Sequence, residues 1–162
     1  MKVALTGRPG VGKTTVCLKV FGQLKPRVAG FVTTEVREGK NRVGFKLKDL
    51  RSGKDVWLAK IGDGKPKVGK YVVFVENLEK FLDNLDLHAE VLIVDEVGPM
   101  ELKSQKFVKF IEDEIFSREK VLATVHYKAS HPIAEKIRKE FKLFTIDEEN
   151  REKVVEEIIK TL

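Results

Sequence analysis

The sequence predicts an α/β fold in three layers, a mostly parallel central sheet with helices on both faces. Three observations carry that prediction. Apolar runs ending in turn residues alternate with segments of helical period through much of the chain. One of those runs, Val91-Leu92-Ile93-Val94, is apolar without interruption, the mark of a strand covered on both faces. The first run opens straight into a glycine-rich loop and then a helical pattern, a strand–loop–helix unit.

Taken in order, Val3, Ala4 and Leu5 form the opening strand. Val16, Cys17, Val20, Phe21 and Leu24 recur at helical spacing until Pro26 stops the helix. Residues 28–61 read differently. Phe31-Val32, Arg42 to Leu47 and Val56-Trp57-Leu58 are short extended pieces separated by Glu38-Gly39-Lys40-Asn41 and Arg51-Ser52-Gly53-Lys54, which predicts an antiparallel excursion of two or three strands. Residues 62–69, rich in Gly, Lys and Pro, read as loop. Tyr71 to Val75 look extended, and Asn77 is the expected cap of a helix carrying Leu78, Phe81, Leu82 and Leu85. The stripe Phe107, Phe110, Ile111, Ile115 predicts the next helix and Val121 to Val125 another buried strand. A helix near 132–140, a strand near 142–146 and an amphipathic helix with Val154, Val155, Ile158 and Ile159 complete the chain.

The 162 residues amount to one domain, expected to span 1–162, and 42% apolar with 35% charged is a globular mixture. No apolar run approaches the roughly 18 residues of a membrane span. The first residues hold only a short apolar stretch broken by Gly7 and Pro9, so no leader is read there and the cytoplasm is the expected compartment. A single cysteine makes no internal disulfide. The net charge of +6 is spread along the chain and interleaved with Glu, so a dedicated nucleic-acid surface is not expected. Twenty-three Lys and 17 Glu against 4 Asn and 2 Gln is a composition common in proteins from hot organisms.

Gly7-Arg8-Pro9-Gly10-Val11-Gly12-Lys13-Thr14 satisfies G-x-x-x-x-G-K-[ST] in full, and Thr15 follows it. Glycines let such a loop curl until its N–H groups converge on phosphates, while the following helix adds its positive dipole end. Lys13 is expected to reach the β- and γ-phosphates and the Thr14 hydroxyl to ligate Mg²⁺. A random chain of this length matches the pattern roughly once in a couple of hundred, and here it also lies between a predicted strand and a predicted helix.

Such a loop needs a carboxylate at the tip of a nearby strand, and the run Val91–Val94 ends in Asp95-Glu96. Asp95 is the expected second Mg²⁺ partner, and Glu96 the group that orients or deprotonates an attacking water. Residues 95–98 also fit the D-x-x-G of regulatory GTPases, but no Asn-Lys-x-Asp follows to read guanine. His126 ends the neighbouring strand, where it could face the γ-phosphate, and Asn150-Arg151 follow the last strand, a position from which a base can be touched. Arg8, Arg42, Lys128 and Arg151 are rival candidates for a second cation. Cys17 reads as core, Trp57 and Tyr71 as packing residues, and His131 before Pro132 as a helix start.

The chain also resembles a known family. Gly7 to Thr15, Gly30 to Arg37, Arg42 to Phe45, Val68 to Tyr71, Asp95-Glu96-Val97-Gly98-Pro99-Met100-Glu101-Leu102, Ala123 to His126, His131-Pro132 and Glu149 to Arg151 occur in the order found in the small nucleoside-triphosphatases of thermophiles. That family is related to the human cancer-related nucleoside-triphosphatase. The resemblance spans nearly the whole chain, and its acidic segment is far more specific than the phosphate loop. It implies a RecA-like P-loop fold that hydrolyses ATP, GTP and other triphosphates, slowly and with little base selectivity. It also carries Lys13, Thr14, Asp95 and Glu96 into the roles argued above. Two departures stand out: the family often has Lys where Pro99 stands and a small residue where Val72 follows Tyr71.

The expected function is therefore Mg²⁺-dependent hydrolysis of nucleoside triphosphates by a monomer. Transfer of phosphate to a nucleotide or other small acceptor is an alternative, weakened by the scarcity of arginine, 8 residues in all. ATP-driven nucleic-acid binding is the third reading, and would show steep salt dependence.

Overall fold

The computed structural model describes all 162 residues. Its nine strands form a single sheet, and five helices cover it. The strands are β1 (Lys2–Thr6), β2 (Val28–Glu38), β3 (Asn41–Asp49), β4 (Asp55–Ile61), β5 (Lys67–Val68), β6 (Tyr71–Val73), β7 (Val91–Val97), β8 (Val121–Val125) and β9 (Lys142–Thr145). The helices are α1 (Lys13–Leu24), α2 (Val75–Asp83), α3 (Gln105–Phe110), α4 (Pro132–Glu140) and α5 (Arg151–Thr161). Across the sheet the order is β5-β6-β4-β3-β2-β7-β8-β1-β9. Every pairing from β2 to β9 in that order is parallel, and those from β2 outward to β5 are antiparallel.

Alternation explains the three layers. Successive side chains of a strand point to opposite faces. Val3, Leu5, Val91, Ile93 and Leu122 pack on one side against Val16, Cys17 and Val20 of α1 and Val154, Val155 and Ile158 of α5. Ala4, Leu92, Val94, Val121 and Ala123 pack on the other against Leu78 and Phe81 of α2, Phe107 of α3 and Ile133 and Ile137 of α4. The uninterrupted apolar run at 91–94 follows from this: the strand has no solvent face. No helix is long and apolar enough to cross a membrane.

The antiparallel excursion is longer than the sequence suggested. Strand β2 serves both parts of the sheet: Val28–Phe31 run parallel to Val91–Val94, and from Phe31 onward the same strand pairs antiparallel with β3. Gly30 sits at the parallel seam with φ +124°, where a Cβ would lie 1.9 Å from the Ile93 carbonyl oxygen, so only glycine fits. Beyond β4 the chain adds β5 and β6 rather than a plain loop over 62–69.

Two local expectations are corrected. Asn77 does not cap α2, which begins two residues earlier; its amide instead donates to the Trp57 carbonyl at 3.0 Å, tying the helix to β4. The helix at 105–115 is not uniform: α3 ends at Phe110, and Ile111–Ile115 continue as a π-turn. Its true cap is Ser104, whose hydroxyl accepts from the Phe107 N–H. His131 starts α4 as expected, its Nδ1 accepting from the Ile133 N–H at 3.1 Å.

Candidate functional site

Because β1, β8 and β7 are parallel neighbours, Thr6, Val125 and Asp95 all emerge at one edge of the sheet. The loop from Gly7 to Gly12 curls over that edge into α1. Gly12 takes φ +107° directly beneath the Arg151 side chain, whose Nη1 would stand 2.7 Å from a Cβ there. Arg151 in turn donates to the Val11 carbonyl at 3.3 Å, so α5 braces the loop from behind. Lys13 is buried, and its ammonium donates to the Gly7 and Arg8 carbonyls at 2.9 and 3.3 Å. It therefore lies folded within the curl of the loop.

Asp95 is buried, and each of its carboxylate oxygens is engaged. The Thr14 hydroxyl donates to Oδ2 at 2.6 Å, and the Thr124 hydroxyl of β8 donates to Oδ1 at 2.6 Å. The Thr33 N–H of β2 adds a longer bond to Oδ2, while its hydroxyl donates to the Asp95 carbonyl at 2.7 Å. Burial pushes this carboxyl above its ordinary range, against the pull of the three donors and Lys13. Three threonines from three different elements thus fix one carboxylate. Sequence reading singled out only Thr14, because Thr33 and Thr124 obey no motif spacing.

Glu96 stands beside Asp95 at the cavity wall. Burial first, and the Asp95 charge second, push its carboxyl up to about 7, with Lys13 opposing. Glu101 is a further acid that the sequence had placed only within the family segment. It is buried, and its Oε2 has no hydrogen-bond partner. A Cβ on Gly98 would lie 3.0 Å from Glu96 Oε1 and 3.2 Å from Glu101 Oε1, so the two acids flank the same glycine. Burial, then the Glu96 charge, hold Glu101 well above the usual carboxylate range. His126, at the end of β8, is held below its ordinary pKa by burial and by the Lys13, Lys128 and Arg138 charges. Its Nδ1 accepts from the Lys128 N–H, leaving Nε2 for the cavity.

Two cavities flank the loop. The larger, about 620 Å³, takes in Pro9, Gly10, Gly12, Lys13, Thr14 and Thr15 with Asp95, Glu96, His126 and Lys128, and extends to Arg42, Phe45 and Tyr71 of the antiparallel strands. The second, about 510 Å³, lies on the β9 flank against Gly7, Arg8 and Val11, with Tyr127 and Asp147.

Chains of the same build are known. The model of the NTPase family matches residues 2–159. The chain belongs to this family. The nucleoside-triphosphatase THEP1 of Archaeoglobus fulgidus is 57% identical over 164 residues, covering 100% of this chain and 99% of the relative. The crystal structure of THEP1 from the hyperthermophile Aquifex aeolicus superposes with a TM-score of 0.82 at 32% identity, over 100% of this chain and 99% of that one. The solution structure of a human cancer-related nucleoside triphosphatase gives a TM-score of 0.79 at 34% identity, over 99% and 96%. The family resemblance and the P-loop fold expected from the sequence are thus found in the molecule.

The predicted residues do not all meet. Pro9, Gly10, Gly12, Lys13, Thr14, Thr15, Asp95 and Glu96 share the larger cavity, while Gly7, Arg8 and Val11 face the smaller. Asn150 lines neither cavity and ties its own loop together: its Nδ2 donates to the Thr145 carbonyl and its Oδ1 accepts from the Asp147 N–H. Cys17 lies in the core, where burial pushes its thiol up.

Proposed function

We propose that residues 1–162 act as one domain that hydrolyses nucleoside 5′-triphosphates to diphosphate and phosphate, with Mg²⁺ and with broad base specificity. The observation that carries this reading is the 2.6 Å bond from Thr14 Oγ1 to Asp95 Oδ2, which joins the phosphate loop to the acidic strand end beside Glu96.

The donor set suits Mg²⁺: a hydroxyl and a carboxylate, hard oxygens that leave room for substrate phosphates. Thr14 and Asp95 would hold the ion, and when bound it supplies positive charge to the β- and γ-phosphate oxygens. Lys13 exchanges the Gly7 and Arg8 carbonyls for phosphate oxygens and neutralises charge on the leaving diphosphate. Glu96, with a carboxyl near 7, holds the attacking water in line and accepts its proton. Broad base specificity is supported by the β9 flank, where the base would lie. The Asn150 amide and Asp147 Oδ1 are already spent within their own loop, so few fixed groups remain to read a base edge.

The test is phosphate release from ATP, GTP, CTP and UTP with Mg²⁺ or with excess chelator, for wild type and Lys13→Ala. Comparable release from all four, lost with chelator and in the variant, supports the reading. Release from one triphosphate alone overturns the broad specificity, and no release from any overturns hydrolysis.

A further inference from the structure

The chemistry proposed above leaves one buried acid without a task. Glu101 lies in the turn after β7, is 2% exposed, and lines the larger cavity together with Glu96. The turn that carries it is fixed at several points. The Leu102 N–H donates to the Gly98 carbonyl at 3.0 Å, and the Ser104 N–H to the Glu101 carbonyl at 3.1 Å. Ser104, the cap of α3, also donates its hydroxyl to Glu79 Oε2 of α2 at 2.8 Å. Two helices therefore set the position of Glu101.

Its carboxyl is incompletely satisfied. Oε2 has no hydrogen-bond partner, and the charges that act on the group are those of Glu96 and Asp95, with no cation among them. A buried anion in that setting costs far more than a neutral acid, so Glu101 is held as the acid, with an O–H to donate. The turn gives that donor an acceptor. A Cβ on Gly98 would stand 3.0 Å from Glu96 Oε1 and 3.2 Å from Glu101 Oε1. Any side chain at position 98 would thus come between the two acids, and glycine leaves the gap between them clear.

We propose that Glu101 is a positioning residue for hydrolysis: its O–H donates to Glu96 across Gly98 and holds that carboxylate toward the attacking water. The inference rests on the water-holding role given to Glu96 above. Oε2 stands unpartnered in the free protein because contacts of this kind tighten only with substrate bound. Glu101 touches neither triphosphate nor Mg²⁺ and keeps its proton throughout; the proton of the water goes to Glu96. Without the donor, the Glu96 carboxylate samples other orientations, and the loss falls on cleavage rather than on binding.

The experiment measures single-turnover ATP cleavage with Mg²⁺, ATP affinity and melting temperature for Glu101→Leu, Glu101→Met and Glu101→Gln. Each is made in wild type and in Glu96→Gln. Two apolar variants are read so that a packing fault in one does not stand for both. Hydrocarbon in place of a buried acid removes its desolvation cost, so neither is expected to melt below wild type at pH 7. Both should cleave at least tenfold more slowly, with ATP affinity within threefold of wild type. Glutamine, which restores a donor at the same place, should recover most of that loss. In Glu96→Gln the apolar variants should slow cleavage by less than threefold, because the group being positioned is gone. Wild-type cleavage in the apolar variants, no recovery by glutamine, or an equal loss in both backgrounds overturns the proposal. Glu96→Gln is also read alone: cleavage there at the wild-type rate overturns the role of Glu96 and this inference with it, whereas a slow Glu96→Gln beside unaffected apolar variants overturns this inference only.

Discussion

Replacing Thr124 by valine removes one hydroxyl and almost nothing else. The side chain is fully buried in β8, and its Oγ1 donates to Asp95 Oδ1 at 2.6 Å. Valine keeps the shape but leaves that carboxylate oxygen without a partner. A buried hydrogen bond to a charged group contributes about 1.5–3 kcal/mol. For a domain of this size about 2–4 °C of melting temperature accompanies each kcal/mol, so Thr124→Val is expected to melt about 3–12 °C lower. Function should fall as well. Asp95 retains Thr14 and the Thr33 N–H, both on Oδ2, so its carboxylate is free to turn about that oxygen. Loss of such an outer partner of a metal-holding group costs about 10–100-fold in metal affinity or activity. Calorimetry and phosphate release titrated with Mg²⁺ measure both effects. An unchanged melting temperature together with an unchanged Mg²⁺ requirement would refute the bracing role assigned to this hydroxyl.

Other substitutions probe the frame and its charges. Gly30→Ala forces a Cβ to 1.9 Å from the Ile93 carbonyl oxygen at a positive φ; backbone strain and overpacking each cost about 1–3 kcal/mol. The β2–β7 seam should then part and the melting temperature drop sharply, whereas a wild-type melt would show that the seam tolerates a side chain. Glu101 is a buried acid with its pKa raised by burial and the Glu96 charge, so its penalty is absent below the ordinary value of 4.5 and grows as pH rises. Glu101→Gln is therefore expected to raise the melting temperature more at pH 8 than at pH 4, and an equal shift at both would contradict that sign. Glu90, held by Arg27 and Lys120, has its carboxyl lowered to about 2. Its stabilising contribution is present above pH 4.5 and lost as pH falls toward 2, so Glu90→Gln should melt lower than wild type at pH 7 and alongside it at pH 2.

What the sequence disclosed follows the range of the interactions involved. The phosphate loop was legible because its spacing is local, and the double acid because Val91–Val94 can only be a strand buried on both faces. Thr33 and Thr124, which join Thr14 in fixing Asp95, lie 62 and 29 residues from it and come from separate strands, so no window along the chain contains them. Glu101 stood out only as part of the family segment 95–102; its burial depends on how the turn after β7 folds back over Gly98. Asn150 sat where a base contact is plausible, but Asp147 and Thr145 consume its amide, and local turn geometry of that kind leaves a weak imprint on residue order. Asn77 gave a cap signal that tertiary contact overrode, since its amide reaches the Trp57 carbonyl. The excursion was read short because Lys67-Val68 is too brief a strand to show a period.

The most direct test of water activation by Glu96 is single-turnover ATP cleavage by Glu96→Gln with Mg²⁺, measured beside ATP affinity for the same protein. Glutamine keeps the shape and removes the proton acceptor. The expected result is affinity within a few-fold of wild type and a cleavage rate about 10²–10⁴-fold lower. Cleavage at the wild-type rate with affinity intact would contradict it, and would assign the proton to another group at the cavity, with His126 Nε2 the first to examine.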